Sequence, residues 1–311
     1  MKIVIPTPHN FSFERTILSH GWCQLLPFEC DRGNLTLTRV VDVVEGQPVV
    51  VVMSAAKAGV EVNVPRSRLG VRAAERVVSD VRHMLRLDDD MTEFATAMSA
   101  EPEFKWISRV GAGRMLRSPT VFEDLAKTIC TTNCAWSSTI RMTSVLTNTL
   151  GRKATNDWRA FPTAEAMAGA PSRFYRDEMR AGYRAAYLRE LAERVASEKL
   201  DVEAWLASEL PTDELRREMK SVKGVGDYAA ENLLKLVGRY DVLALDSWLR
   251  AQFIAKHNKG RGCSDKKIAR YYSRFGSWRG LALWCDMTKD WIDDAGHSFS
   301  TMHSSQSGVR A

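Results

Sequence analysis

Between residues 35 and 64 the chain runs in short, β-branched stretches. LTLTRVVDVV (35–44) and PVVVVMS (48–54) are rich in valine, and GVEVNV (59–64) alternates apolar with polar positions. Such runs suit strands with one face buried. The EGQ between the first two predicts a turn. From about Arg66 the period becomes helical: Ala74, Val77, Val78, Val81, Met84 and Leu85 form one apolar stripe. Beyond it the apolar pattern is helical throughout. Leu125 and Ile129 mark one helix and Met142, Val145 and Leu146 a second, with a break near TTNCA (131–135). Tyr187, Leu188, Leu191 and Val195 mark another, and Leu281, Leu283, Trp284 and Met287 one near the end. The closing GHSFSTMHSSQSGVRA is small, polar and aperiodic, so disorder is expected there. The pattern predicts an α+β chain: a small N-terminal antiparallel β-sheet domain with a helix over 1–88, an all-α domain over 89–295 and a disordered tail over 296–311.

Charge changes this picture modestly. The formal net charge of +6 leans towards a polyanionic partner. Cys23, Cys30, Cys130, Cys134, Cys263 and Cys285 show no framework spacing and are expected as reduced thiols. Cys130 and Cys134 have no second Cys/His pair, which argues against zinc. MKIVIPTPHNFSFE lacks the apolar core of a signal peptide, and no apolar run reaches membrane-spanning length.

The chemistry is concentrated in SVKGVGDYAAENLLKLVGRYDVLALDSWLR (221–250). PTDELRREMK precedes it, with Thr212 a candidate helix N-cap, and DYAAENLLKLV is again helical, so Ser221–Gly226 forms a tight turn between helices. One reading is a plain αα-hairpin whose glycines cap the first helix. The other is a helix-hairpin-helix in which the main-chain amides of Gly224, Val225 and Gly226 meet DNA phosphates, with Lys220 and Lys223 beside them. Asp246 likewise has two readings that are compatible. It can cap the helix beginning at SWLR, and its carboxylate can stabilise a cation forming on deoxyribose as a base departs.

The stretch from Met219 to Leu249 resembles the signature of the helix-hairpin-helix (HhH-GPD) base-excision DNA glycosylase superfamily, and most of all the branch of 3-methyladenine DNA glycosylase II and the 8-oxoguanine DNA glycosylases. SPTVFEDLAKTICTTNCAW, FPTAEAMAGA, GYRAAYLRELA and FGSWRGLALWCDM resemble further helices of that family, so the likeness covers most of residues 30–292. It implies Asp246 as the catalytic residue and Asn133 as the side chain filling the gap left by an extruded nucleotide, although Asn133 can instead cap a helix starting at Cys134. The 8-oxoguanine branch carries its Schiff-base lysine where this chain has Tyr228, which implies hydrolysis without strand cleavage and fits the alkylated purines. Lys223 stands in place of the hairpin's usual proline and is expected on a phosphate; Lys235 is expected in solvent. Tyr228, Asn232, Trp136, Trp284, Met287 and Leu283 are the candidate base pocket, with core packing the competing role for a Trp or Met at helical spacing. Leu283 departs from the 8-oxoguanine pattern, and Met287 and Asn232 depart from the alkylpurine pattern.

Only Cys263 and Cys285 follow Asp246, too few for the iron–sulfur loop of the endonuclease branch. No cofactor and no side-chain metal site is implied, though hairpin carbonyls can hold a monovalent cation. The basic run KHNKGRGCSDKKIARYYSR is either a solvated face or an extension of the phosphate-binding surface. The implied partner is damaged double-stranded DNA, met by a monomer away from membranes. The implied setting is the cytoplasm, at the nucleoid in a bacterium or in the nucleus of a eukaryote. Two alternatives stay open: a glycosylase for oxidised or deaminated bases, and a non-catalytic DNA-binding protein.

Overall fold

The computed structural model describes residues 1–43, 48–65 and 69–291. The expected EGQ turn and the expected disordered tail lie outside those residues. Five strands form one antiparallel sheet: β1 (Lys2–Ile5), β2 (Phe28–Asp31), β3 (Thr36–Val41), β4 (Val49–Ala56) and β5 (Gly59–Asn63), in the order β1-β5-β4-β3-β2. The three valine-rich runs supply β3, β4 and β5. Strands β1 and β2 lie outside the expected runs, and each is only four residues long.

Helices make up most of the remainder. In chain order they are α1 (Phe13–Ile17), α2 (Val71–Met84), α3 (Thr92–Ala100), α4 (Lys105–Arg109), α5 (Val121–Thr131), α6 (Trp136–Leu150) and α7 (Ala164–Ala168). There follow α8 (Arg184–Ala196), α9 (Thr212–Lys220), α10 (Asp227–Leu236), α11 (Ser247–His257), α12 (Asp265–Tyr272) and α13 (Arg279–Met287). The break near TTNCA separates α5 from α6. The architecture is α+β. Among the described residues no helix is long and apolar enough to cross a membrane.

Alternation buries one face of the sheet. Leu37, Val51, Met53, Val60 and Val62 are fully buried, and Val77, Val81 and Met84 of α2 cover them. The same apolar cluster takes in Leu116, Trp136 and Leu236, so this core extends well past residue 88. A second core gathers α5, α6, α8, α9 and α10, and a third gathers α3 with α11, α12 and α13.

The sheet is also tied to α5 by charge. Glu123 of α5 is buried, and it accepts two hydrogen bonds from the Arg39 guanidinium of β3, at 3.0 and 2.5 Å. Buried Lys127, one turn along α5, lies 2.7 Å from the same carboxylate. The two cations outweigh burial and hold Glu123 down at about 2.

Candidate functional site

The expected hairpin is present. Helix α9 ends at Lys220, the chain turns over Ser221–Gly226, and α10 starts at Asp227. Thr212 is not an N-cap. Pro211 occupies that position, and the Thr212 hydroxyl instead donates to Asp241 at 3.0 Å. Gly224 has φ +90°, and a Cβ there would sit 2.8 Å from the Tyr187 ring, so the turn requires glycine both for conformation and for contact. Gly226 caps α10 in extended conformation with open space around the place a Cβ would take. Among the described residues no side chain caps α10, which leaves its first amides without a side-chain cap, as an anion site requires. Both hairpin lysines already have carboxylate partners: Lys220 pairs with Asp227 and Lys223 with Glu190, each at 2.7 Å.

From α10 the chain returns through a loop pinned by Glu231. Its carboxylate accepts from the Ala244 amide at 2.8 Å and from Arg216 of α9 at 3.0 Å. Ala244 has φ +51°, and two residues later Asp246 caps α11, its Oδ1 accepting from the Leu249 amide at 2.7 Å. The cap fixes one carboxylate oxygen and leaves Oδ2 for another partner. Tyr228, 39% exposed, lies beside this carboxylate; burial of its phenol, and then the Asp246 charge, raise its pKa.

Asp246 and Tyr228 open onto a cavity of about 650 Å³. The hairpin, the TTN turn, Trp136, Asn232 and Trp284 line it as well, so the structure brings together most of the residues singled out in the sequence. Leu283 and Met287 are not among the lining residues. They stand one helical turn apart on α13 and face the third core, while Trp284, about 100° around the helix, reaches the cavity. Asn232 bends back along its own helix, donating to the Tyr228 carbonyl at 2.8 Å.

Asn133 does not cap α6; Ala135 holds that position. Asn133 is exposed at φ +47° and donates to the Tyr183 hydroxyl at 3.3 Å. Arg184 braces the same turn through the Thr132 carbonyl and lies 4.5 Å above the Tyr183 ring. The side chain that fills the helix break is thus held at the rim of the cavity by α8.

Part of the wall was not anticipated. His20, Gly21 and Trp22 line the cavity from the N-terminal segment, and Trp248 and Trp291 line it from the other end of the chain. His20 Nε2 donates to the Leu116 carbonyl at 2.6 Å; burial pulls this imidazole down to about 3, so it is neutral. Trp22 donates to Asp124 at 2.7 Å, and Trp136 to Gln24 at 2.7 Å. Gly21 packs against Trp136, where a Cβ would run into the ring. Trp284 meets Trp291 edge to face at 5.6 Å, and Trp248 lies 5.2 Å from Trp291.

Lys235 is the largest correction. It is fully buried rather than solvated, with its Nζ 4.7 Å from the Trp284 ring centroid and no hydrogen-bond partner among the described residues. Burial pulls its pKa down to about 8, against the opposing charges of Asp246 and Glu231. A lysine enclosed by Leu233, Leu234, Leu236 and Val237 was the available signal.

The basic run lies on the end of α11, on α12 and on their connection. Two of its cations lie beside carboxylates, Lys256 at 2.8 Å from Asp286 and Arg274 at 3.4 Å from Glu101.

No family model matches the chain, and no curated protein matches it. Solved structures do. MBOgg1 bound to a low-affinity DNA ligand superposes with TM-score 0.72 at 19% identity, over 95% of this chain and 96% of that one. The 3-methyladenine DNA glycosylase of Archaeoglobus fulgidus gives 0.72 at 21%, over 94% and 99%. The Clostridium acetobutylicum 8-oxoguanine glycosylase/lyase, bound to duplex DNA containing cytosine opposite 8-oxoguanine, gives 0.71 at 20%, over 94% and 98%. The chain has the fold of these proteins along nearly its whole length.

Proposed function

We propose that the protein is a monofunctional DNA glycosylase of base excision repair, acting as a monomer on purines altered by alkylation or deamination in double-stranded DNA. The observation that carries this reading is Asp246, fixed by one oxygen at the head of α11 and placed on a cavity large enough for a base, one loop away from a hairpin whose second helix has no side-chain cap. The nearly full-length fold shared with DNA glycosylases supports it.

In this reading the hairpin amides hold the phosphate backbone, Asn133 enters the gap in the duplex, and the extruded base passes between the aromatic walls. The bond between C1′ and the base nitrogen breaks, and its electron pair leaves with the base. Asp246 Oδ2 stabilises the resulting sugar cation and orients a water. The water oxygen bonds to C1′, and its proton passes through the carboxylate to solvent. Docking alone has no use for an acid at this place, where phosphate would repel it.

Tyr228 stands where an attacking amine would be needed for strand cleavage, and a phenol forms no imine. Lys235 is seven residues further along α10, about 10 Å along the axis. Borohydride present during turnover is therefore expected to trap no covalent protein–DNA adduct, and strands should break only after alkali or heat. A trapped band lost in Lys235→Ala or Lys223→Ala would show a displaced lysine acting as nucleophile. The decisive panel is a set of duplexes carrying 3-methyladenine, 7-methylguanine, hypoxanthine, uracil or 8-oxoguanine; failure to excise any of them would leave a DNA-binding protein without this activity.

Duplex binding is expected to be salt-dependent and indifferent to sequence. Lys223→Glu should weaken binding to every duplex by roughly tenfold, since it reverses a charge at the phosphates and places a carboxylate against Glu190. Titrations with damaged and intact duplexes check this. A change of lesion preference with affinity intact would move Lys223 to the base pocket.

A further inference from the structure

Lys235 has no task in the reaction just described, yet its ammonium is fully buried beside the cavity. An ammonium without hydrogen bonds is heavily penalised when buried. Its Nζ rests on the face of Trp284, which lines the cavity. It also lies in the fields of Asp246 from the loop before α11, Glu231 from α10 itself, Cys285 from α13 and His20 from the N-terminal segment. The Arg86 guanidinium adds a second cation, donating at 2.8 Å to the backbone carbonyl of Lys235. His20 is neutral, and burial pushes the Cys285 thiol up to about 12, so neither offsets the ammonium at neutral pH.

We infer that Lys235 narrows the substrate class of this cavity by charge, favouring among altered purines the neutral lesions, with an exocyclic carbonyl or a neutral adduct, over the cationic N-alkylpurines. This rests on the glycosylase reading above. A base stacked over the centre of the Trp284 ring, about 3.5 Å from it on the face away from Nζ, lies about 8 Å from Nζ. At that distance, in the effective dielectric of a protein site, two like unit charges disfavour each other by about thirtyfold in an equilibrium or rate constant. A methylated purine such as 7-methylguanine enters as a cation and meets this repulsion. Hypoxanthine and ethenoadenine enter neutral, and a carbonyl oxygen turned towards the ammonium is attracted. The aromatic wall that would otherwise favour a cation by its negative face is occupied on that account by the protein's own lysine.

The test is the ratio of single-turnover excision rates, hypoxanthine over 7-methylguanine, in duplexes otherwise identical. Lys235→Met keeps the length and apolar stem and removes the charge; it should lower the ratio about thirtyfold, chiefly by raising the rate on 7-methylguanine. Lys235→Arg keeps the charge and should keep the ratio within about threefold of wild type. A merely structural lysine would change both rates together and leave the ratio alone. Should the variants not fold, the wild type suffices. Between pH 7 and pH 9 the ammonium loses its proton, since its pKa is about 8, and the ratio should fall as pH rises, whereas an unchanged ratio would overturn the inference. Excision of both lesions with a ratio indifferent to Lys235→Met also overturns it and leaves the glycosylase reading standing. Excision of neither, nor of any other lesion in the panel above, overturns that reading instead.

Discussion

Replacing Asp246 by asparagine is expected to lower single-turnover base excision by roughly a thousandfold or more, the scale on which removing a preorganised electrostatic group from a reacting centre is felt. The structure makes this substitution unusually easy to interpret. Asparagine is as good an N-cap as aspartate, and an amide oxygen can still accept from the Leu249 amide. Helix α11 should keep its cap, so thermal stability should fall by well under 1 kcal/mol. What is lost is the negative charge that the proposed mechanism sets against C1′. Duplex affinity should hold or improve, because a carboxylate near phosphates repels them. Rapid-quench measurement of excision, beside melting curves and a binding titration, separates the three effects. A variant that excises at near wild-type rate would remove Asp246 from the chemistry.

The second large effect lies away from the cavity. Glu123→Gln should destabilise the fold at pH 7 by about 3–5 kcal/mol, because it leaves Arg39 and Lys127 as buried cations without a counter-charge. The pH dependence follows from the direction of the shift. The Glu123 carboxyl titrates at 4.5 in the reference state and is held near 2 in the fold, so the folded chain favours its ionised form. That stability, about 3 kcal/mol, is fully present above pH 4.5 and is lost progressively as pH falls towards 2. Burial draws the Lys127 ammonium down, in the opposite sense to its salt bridge. Glu123 has Arg39 as a second partner, so the carboxylate governs the window. Urea melts of wild type and variant at pH 7 and pH 3 should differ widely at the first and much less at the second. A constant gap would place the loss elsewhere.

Local signals were legible in the sequence. The hairpin and Asp246 could be read because turn, cap and carboxylate sit within thirty residues and depend on glycine and aspartate chemistry. Strands β3, β4 and β5 were readable from their valines. Strand β1 is KIVI and β2 is FECD, too short for alternation to accumulate, and β2 carries two acidic residues. The helix break at TTNCA was correct, but Asn133 was given a capping alternative that backbone geometry assigns to Ala135. Leu283 and Met287 failed for a rotational reason: periodicity identifies an apolar stripe without saying which neighbour it meets. Lys235 failed because residue type was weighed above context. His20, Gly21 and Trp22 were out of reach, since what places them is contact with residues about a hundred positions away.

Those long-range contacts impose an order on how the molecule comes into being. The Trp284 indole donates to the Ser19 carbonyl, a bond spanning 265 residues, and Arg15 donates to the Lys289 carbonyl across 274. The hairpin, by contrast, closes between neighbouring helices. On a ribosome the chain emerges from its N-terminus, so residues 13–24 must wait for α13 and Trp291 before the cavity has its walls. Loop-closure entropy delays such contacts in refolding as well. The hairpin can therefore exist in a chain whose cavity is not yet walled. The cavity is complete only when the two ends of the polypeptide meet.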